Sequence, residues 1–193
     1  MALPPETLAA LRDNLAAITV VVTVTLAFLG YIATYLNARV LAKKKDRLEL
    51  VTQRLNEFYG PLYVATRASK TAYETLLRKH GKKHTIFERD REPSAALLEE
   101  WILWMTTVFM PLNEVIERII IEKAHLIIEE RMPDCLLMFV THVVSHRAIL
   151  ARWGRGDFSE RQPLMAFPVA LNDYAARSYA TLKHEQVRLL DSL

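Results

Sequence analysis

The chain is poor in the residues that cross-link or interrupt a fold. It has one cysteine, Cys135, and five glycines among 193 residues. A single cysteine excludes an intrachain disulfide, so the sequence lacks the framework of a small secreted protein and agrees with a reducing compartment. Asn-Gly and Asp-Gly hairpin turns are absent, and so is sustained alternation of apolar and polar residues. The apolar spacing is helical instead, which predicts an all-α protein.

Familiar catalytic and ligand-binding signatures are also missing. The sequence has no Gly-x-Gly-x-x-Gly, no phosphate-binding loop, no Cys-x-x-Cys and no nucleophile elbow. His142 and His146 have a spacing that can hold zinc on one helical face, but the glutamate of H-E-x-x-H and a third ligand are lacking. We therefore predict no metal and no cofactor, and expect partly buried histidines bonded to neighbouring helices.

Charge is absent from one long segment. Residues 14–38, NLAAITVVVTVTLAFLGYIATYLNA, contain no charged side chain. About 20 apolar residues are enough for a helix to cross a hydrocarbon core about 30 Å thick, so this segment predicts one transmembrane helix. A cleaved signal peptide would have an apolar core of about 7–15 residues preceded by net positive charge, and this segment does not fit that pattern.

The two flanks of the apolar segment differ in charge. Glu6, Arg12 and Asp13 precede it, and a basic cluster follows it, made of Arg39, Lys43, Lys44, Lys45 and Arg47. Positively charged flanks stay on the cytoplasmic side of a membrane. We expect the basic cluster to contact anionic lipid headgroups rather than nucleic acid, because no stacking platform of aromatic residues is interleaved with it.

These observations predict a single-pass protein of the inner, cytoplasmic membrane with its N-terminus outside. Residues 1–13 are then extracytoplasmic, 14–38 span the membrane, 39–60 form a basic juxtamembrane helix and 61–193 form a cytosolic helical domain. Leu41, Leu48, Leu55 and Leu62 recur every seven residues, which predicts that the membrane helix continues into the cytosol until Gly60-Pro61 bends or ends it.

Local signals divide the rest of the chain into further helices. Gly81 predicts the end of a helix from about residue 61, and Ser94 predicts the start of an apolar, central one. Pro111 and Pro133 open two more, over 112–128 and 134–153, and the last runs from about Pro168. Residues 81–93 are predicted to form a mobile loop. The expected architecture is one N-terminal transmembrane helix followed by a cytosolic bundle of about five helices.

Small residues follow one another at spacings of three or four along the predicted membrane helix. This small-residue face consists of Ala16, Thr19, Thr23, Ala27, Gly30 and Thr34. Faces of this kind let transmembrane helices approach closely, so the pattern favours a homo-oligomer, in which the threonines would line a narrow polar path. A lone membrane anchor is the alternative, since small residues are common in such helices.

Arg118 and His125 form an Arg-x6-His pair in the segment RIIIEKAH. Such a pair is a nuclease signature in one helical family, where the arginine neutralises phosphate charge and the histidine moves protons. They are the candidate catalytic residues. The alternative is that Glu114, Arg118 and Glu122, four apart, are salt-bridged neighbours on a solvated helical face.

The apolar N-terminal span and three later segments carry a resemblance to known proteins. The segments are RLNEFYGPLY, AHLI and RWGRGDFSE. With the span, they resemble a group of small bacterial membrane proteins, and the architecture is similar to the membrane accessory protein of type VI-B CRISPR systems, a HEPN-like helical protein. The resemblance implies assembly into a membrane pore and a role in defence against phage. Active HEPN nucleases commonly have a polar residue after the arginine, where this chain has Ile119.

The function that the sequence favours is a membrane accessory or effector without chemistry of its own, acting by forming or gating a pore. Two alternatives stay open. One is a membrane-tethered HEPN-like ribonuclease, which would have RNA as its partner. The other is a membrane anchor whose helical domain docks a cytosolic protein partner.

Overall fold

A computed structural model describes residues 5–88, 92–163 and 165–193, and for residues 5–13 and 16 it describes the backbone alone. Throughout these ranges the regular structure is helical and no strand occurs, so the all-α prediction is confirmed. The α-helices are α1 (Pro5–Arg54), α2 (Gly60–Lys79), α3 (Ala95–Trp104), α4 (Met110–Glu122), α5 (Asp134–Trp153) and α6 (Ala170–Asp191). Two π-helical turns (Leu55–Tyr59 and Met105–Phe109) and a 3-10 turn (Ala124–Leu126) complete them.

The chain divides into two compact units, Met1–Leu48 with Leu193, and Glu49–Ser192. The first unit contains most of α1, which is long and apolar. Every large apolar side chain described between residues 15 and 36 is exposed, and most have half or more of their surface accessible. A soluble helix normally buries an apolar stripe against a core, so this exposed apolar band requires a different environment from that of the second unit.

The second unit is a helical domain with one hydrophobic core. Within it, α2 packs against α4 and α6, and α5 packs against α4 and α6. Each of these elements contributes side chains with little or no exposure. The predicted apolar repeat continues into this core, because Leu55 and Leu62, with Val51 and Phe58 at the intervening positions, are all buried.

The chain stays helical through Gly60-Pro61, where the sequence predicts a bend or an end. A proline inside a helix lacks an amide donor, and its ring clashes with the carbonyl four residues earlier. The π-turn at Leu55–Tyr59 shifts the hydrogen-bond ladder by one residue, so that the Gly60 N–H donates to the Leu55 carbonyl. A second π-turn, Met105–Phe109, precedes Pro111 in the same way, and there the Met110 N–H donates to the Met105 carbonyl.

Two predicted helix boundaries are confirmed by their capping geometry. The Ser94 hydroxyl accepts a hydrogen bond from the Leu97 N–H at 3.2 Å, so Ser94 is the N-cap of α3. Gly81 has a φ of +64° after the end of α2, and the next amide returns to the Leu77 carbonyl at 2.8 Å.

Other expectations differ from the structure. The segment from Ser94 is not buried all round, since Leu103 is 58% exposed and Trp101 is the buried residue of α3. The helix predicted over 112–128 stops at Glu122, because Leu126 inserts into the core and the Ile128 N–H donates to the Tyr59 hydroxyl at 3.0 Å.

The predicted loop at 81–93 is non-helical where it is described, and residues 89–91 lie outside the described ranges. Its middle does not project freely into solvent. Ile86 is only 1% exposed, and Phe87 packs edge-on against Trp101.

Candidate functional site

A cavity of about 430 Å³ lies in the helical domain among α2, the π-turn after α3, α4, α5 and the start of α6. Most of its wall is apolar and much of that is aromatic, from Tyr73, Trp101, Phe109 and Phe167. Buried or half-buried polar residues interrupt this wall, namely Ser69, Asn113, His142, His146 and Asn172, and the exposed Lys70, Glu74, Lys83 and His84 lie at its rim. Concave, largely apolar sites with a few convergent polar groups are the usual form of small-molecule sites.

The two histidines reach the cavity because they lie four residues apart on α5. Their rings meet edge to face with centroids 4.7 Å apart. His142 Nδ1 is 2.7 Å from the Met165 carbonyl, and since a carbonyl only accepts, Nδ1 must carry the proton. The prediction of bonds to neighbouring helices is therefore wrong: the partner of His142 lies in the segment before α6, and neither ring nitrogen of His146 has a partner among the described residues. His146 is 3% exposed.

Three of the cavity-lining side chains hold buried polar atoms without a hydrogen-bond partner in the part of the chain that the structure describes. These atoms are Asn113 Oδ1, both ring nitrogens of His146, and Asn172 Oδ1. Leaving a buried polar group unsatisfied costs about 1–3 kcal/mol, so native proteins keep few of them. Their convergence on one cavity marks the cavity as a candidate functional site.

The histidines are neutral at pH 7. Burial is the main cause that lowers the pKa of His146 to about 3, and the nearby His142 lowers it further. Burial also lowers the pKa of His142, against the opposing effect of its bond to Met165. Each neutral ring therefore offers one donor and one acceptor, and the cavity wall holds no buried charge at this point.

Within the described ranges no three His, Cys, Asp or Glu side chains come together to hold a metal ion. Cys135, two residues into α5, is half-buried, and burial raises the pKa of its thiol. This places it among structural thiols rather than reactive ones, because a reactive cysteine needs a lowered pKa.

Arg118 and His125 lie on different local structures. Arg118 is exposed on α4, and it borders a shallow cleft with Glu117 and Arg147. His125 is exposed in the 3-10 turn beyond the end of α4. No hydrogen bond, ion pair or ring contact joins the two among the described residues, so their catalytic role stays a prediction. The salt bridge in this region joins Arg147 to Glu117, with both carboxylate oxygens engaged and Nη1 3.0 Å from Oε1.

His125 lies close to a different ion pair. Lys123 Nζ is 2.7 Å from Glu57 Oε2, and this hydrogen bond is the main cause that lowers the pKa of Glu57, to which the nearby His125 also contributes. The contact ties the turn after α4 to the π-turn before α2. Its geometry is that of a structural pair at a partly exposed surface.

The small-residue face of α1 is compact and hydrogen-bonded to its own helix. The hydroxyls of Thr19, Thr23 and Thr34 each donate to the carbonyl four residues earlier, at 2.8, 2.8 and 2.9 Å. A Cβ built on Gly30 would meet nothing within 4 Å. Ala27 is exposed, and the side chain of Ala16 lies outside the described part. In the basic cluster, Lys44 is half-buried and the other members, Arg39, Lys43, Lys45 and Arg47, are exposed.

Three described helical stretches are long and apolar enough to cross a membrane, namely Ala17–Lys79, Ala95–Glu122 and Asp134–Trp153. The most apolar 18 consecutive residues of the first stretch have a mean hydropathy of 2.1, and none of them is buried. The corresponding segments of the second and third stretches have mean hydropathies of 1.2 and 1.3, and 22% and 33% of their residues are buried. These helices indicate association with a membrane. No protein-family model, no curated protein and no solved structure matches the chain.

The two asparagines of the cavity were not among the predicted site residues. Asn113 has a sequence signal, because it occupies the apolar stripe of α4 three and seven residues before the buried Ile116 and Ile120. Asn172 has none, since it is the third residue of α6 and lies beside the buried Leu171 in the sequence. Its role follows only from the packing of α6 against α2 and α5.

Proposed function

We propose that the protein is a single-pass membrane protein that assembles with copies of itself and acts as an accessory or effector at the membrane. In this proposal residues 14–38 cross the bilayer, residues 1–13 lie outside and residues 39–193 lie in the cytoplasm. One observation carries it: the large apolar side chains that the structure describes in α1 between residues 15 and 36 are all exposed, and the sequence has no charge among them. Water is a poor solvent for such a surface, and a bilayer core is a good one.

Charge distinguishes α1 from the other two long apolar stretches. At a helix centre each Leu, Ile, Phe or Val favours insertion by about 0.3–0.6 kcal/mol, whereas each Asp, Lys or Arg opposes it by about 2.5–3.5 kcal/mol. The stretch Ala95–Glu122 contains Glu117 and Arg118, and Asp134–Trp153 contains Arg147 and Arg152. Both also carry core residues of the helical domain. These facts support a single crossing by α1.

The threonines of α1 support the same location. A bilayer core offers no water, so polar groups there must be satisfied within the protein. The hydroxyls of Thr19, Thr23 and Thr34 are satisfied by their own helix, which leaves a compact surface that does not need a polar partner. Compact faces allow close helix packing, and this is the basis on which we propose self-association.

The proposed orientation rests on the basic cluster after the span. The exposed Arg39, Lys43 and Lys45 would lie beside the headgroups of the inner leaflet, where each basic residue contributes about 1 kcal/mol of attraction to anionic lipid. The helical domain, which follows the cluster in the sequence, would then lie in the cytoplasm.

Assembly is tested by the mass of the full-length protein in detergent, measured by light scattering with the detergent contribution subtracted. We expect a defined oligomer. Gly30→Leu should lower that mass, since a Cβ at this position meets nothing within 4 Å and the added side chain would lie where a neighbouring copy packs. Val21→Phe on the opposite face is the matched control, because it adds as many carbon atoms to an exposed position and should leave the mass unchanged.

A monomeric wild-type protein, or equal masses for both variants, would contradict assembly through this face and favour the anchor that docks a cytosolic partner. The pore form of the proposal needs a second readout. Vesicles that contain the wild-type protein or Val21→Phe should release a trapped ion, and vesicles with Gly30→Leu should not. An intact oligomer without ion release would contradict the pore while leaving assembly in place.

A further inference from the structure

We propose that the cavity bounded by α2, α4, α5 and α6 binds a small, neutral, planar nitrogen heterocycle of the nucleobase or nucleoside class. The ligand would be held at its edge by Asn113, His146 and Asn172 and at its faces by the aromatic wall. This inference is independent of the membrane proposal, because every residue that carries it lies in the helical domain.

The partnerless polar atoms define the edge of the ligand. Neutral His146 offers one N–H donor and one nitrogen acceptor, and neither has a protein partner in the described ranges. Asn113 Oδ1 and Asn172 Oδ1 are acceptors, and turning either carboxamide over would present donors instead. A ligand that satisfies these atoms must therefore carry both donors and acceptors. Nucleobases do so on their hydrogen-bonding edges.

Ordered water alone does not account for the cavity. One water occupies about 30 Å³ of liquid volume and needs two to four polar partners. At about 430 Å³ the cavity is many times larger than that, and most of its wall is apolar. A hydrocarbon ligand would fill the apolar part and leave Asn113 and His146, each 3% exposed, without partners.

The aromatic wall favours a flat ligand. Phe109 contacts both Tyr73 and Trp101, with ring centroids 6.1 and 6.0 Å apart, and Phe167 meets the His142 ring edge-on at 5.7 Å. Aromatic faces stack on planar heterocycles irrespective of which base is presented. The size of the cavity is within the range of pockets that enclose small organic ligands.

Charge argues for a neutral ligand. The buried part of the wall presents neutral histidines and carboxamides, so no buried cation there would balance the charge of an anion. At the rim lie the charged residues Lys70, Glu74 and Lys83, with Lys70 and Glu74 4.0 Å apart. All three are exposed, so water screens their charges. An anionic ligand would require a buried cation in the wall, and the lining residues place their charges at exposed positions only.

The test is calorimetric titration of the full-length protein in detergent with adenosine, guanosine, cytidine and uridine in turn. Indole serves as a planar probe without an acceptor edge. We expect at least one nucleoside to bind in the micromolar to low millimolar range and at least tenfold more tightly than indole. Asn113→Leu and His146→Phe should each weaken that nucleoside at least tenfold, because they fill the same space without hydrogen bonds.

Thr66→Val is the matched control. Thr66 is a buried polar residue of α2 that bonds to the Leu62 carbonyl of its own helix and does not line the cavity, so binding should be unchanged. Without ligand, Asn113→Leu should melt at or above the wild-type temperature, since it removes an unsatisfied buried group. Asn172→Leu replaces Asn113→Leu if that variant fails to fold.

The proposal would be overturned by no nucleoside binding at millimolar concentration, or by indole binding as tightly as the best nucleoside. Nucleoside binding that survives Asn113→Leu and His146→Phe would also overturn it, because the ligand would then lie elsewhere.

Discussion

Replacing Gly60 by alanine should destabilise the helical domain, although the same change in an ordinary helix stabilises it by about 1 kcal/mol. Gly60 has an ordinary helical conformation, with φ −66° and ψ −57°, so its backbone does not require glycine. The space around Gly60 does require glycine, because it leaves no room for a Cβ atom. A Cβ built there would lie 2.4 Å from the carbonyl oxygen of Leu55, which is the oxygen that the Gly60 N–H contacts across the π-turn.

The expected magnitude follows from what must move. Relieving the contact displaces the π-turn, whose Leu55, Phe58 and Tyr59 are 5%, 0% and 0% exposed. Overpacking of a well-packed core costs about 1–3 kcal/mol, and a lost backbone hydrogen bond adds about 1 kcal/mol. After subtracting the helix-propensity gain, we expect a net loss of about 2 kcal/mol. For a domain of this size that lowers the melting temperature by about 4–8 °C.

Thermal unfolding followed by tryptophan fluorescence is the appropriate assay, because Trp101, Trp104 and Trp153 all lie in the helical domain. Gly154→Ala is the matched control. Its Cβ would be 3.6 Å from the nearest atom, the Leu150 carbonyl oxygen, in a helical conformation with φ −62°, so it should melt at or slightly above the wild-type temperature. A melting temperature for Gly60→Ala equal to or above that of the wild type would refute the reasoning.

Three further predictions concern charge in the helical domain. In the folded chain burial lowers the pKa of His146 from its ordinary 6.5 to about 3, so in acid the unfolded chain binds more protons than the folded one. The stability that the domain has above pH 6.5 should therefore fall by about 2 kcal/mol at pH 5. His146→Phe should remove that loss when unfolding is measured at both pH values. Arg147→Met should destabilise the domain by about 2 kcal/mol in thermal unfolding. This is less than for a fully buried pair, because the Arg147 side chain is 47% exposed while that of its partner Glu117 is 8% exposed. Adding Glu117→Gln should restore most of the lost stability, and no recovery would show that packing rather than charge is responsible. If the protein is an effector without chemistry of its own, the wild-type protein, Arg118→Ala and His125→Ala should be equally inactive on RNA. Cleavage by the wild type that both substitutions abolish would instead establish the ribonuclease.

The sequence predicts those features of the fold that local chemistry determines. Ser94 and Gly81 specify helix ends through their own hydrogen bonds or backbone angle, and the uncharged run of α1 is visible without any tertiary information. The end of α4 at Glu122 is different, because it depends on a hydroxyl from Tyr59, distant in sequence, that accepts the Ile128 N–H. No local pattern encodes that contact.

The candidate site was less accessible to sequence reasoning than the fold. The spacing of His142 and His146 places them on one face, but their burial and the missing partners of His146 arise from the packing of four helices around one cavity. The π-turns depend both on a local sequence signal and on tertiary packing. Proline at positions 61 and 111 signals a disturbed helix, whereas the choice of a wider turn over a break depends on the buried side chains on either side.

The crossing of the membrane by residues 14–38 is the central claim, and labelling of single cysteines tests it most directly. Cys135→Ala removes the native thiol, after which Ala2→Cys and Lys83→Cys place one cysteine on each side of the span. In bacterial spheroplasts a membrane-impermeant maleimide should label Ala2→Cys while the spheroplasts are intact, and Lys83→Cys only after they are lysed. Labelling of both cysteines from the same side of the membrane would contradict the single crossing.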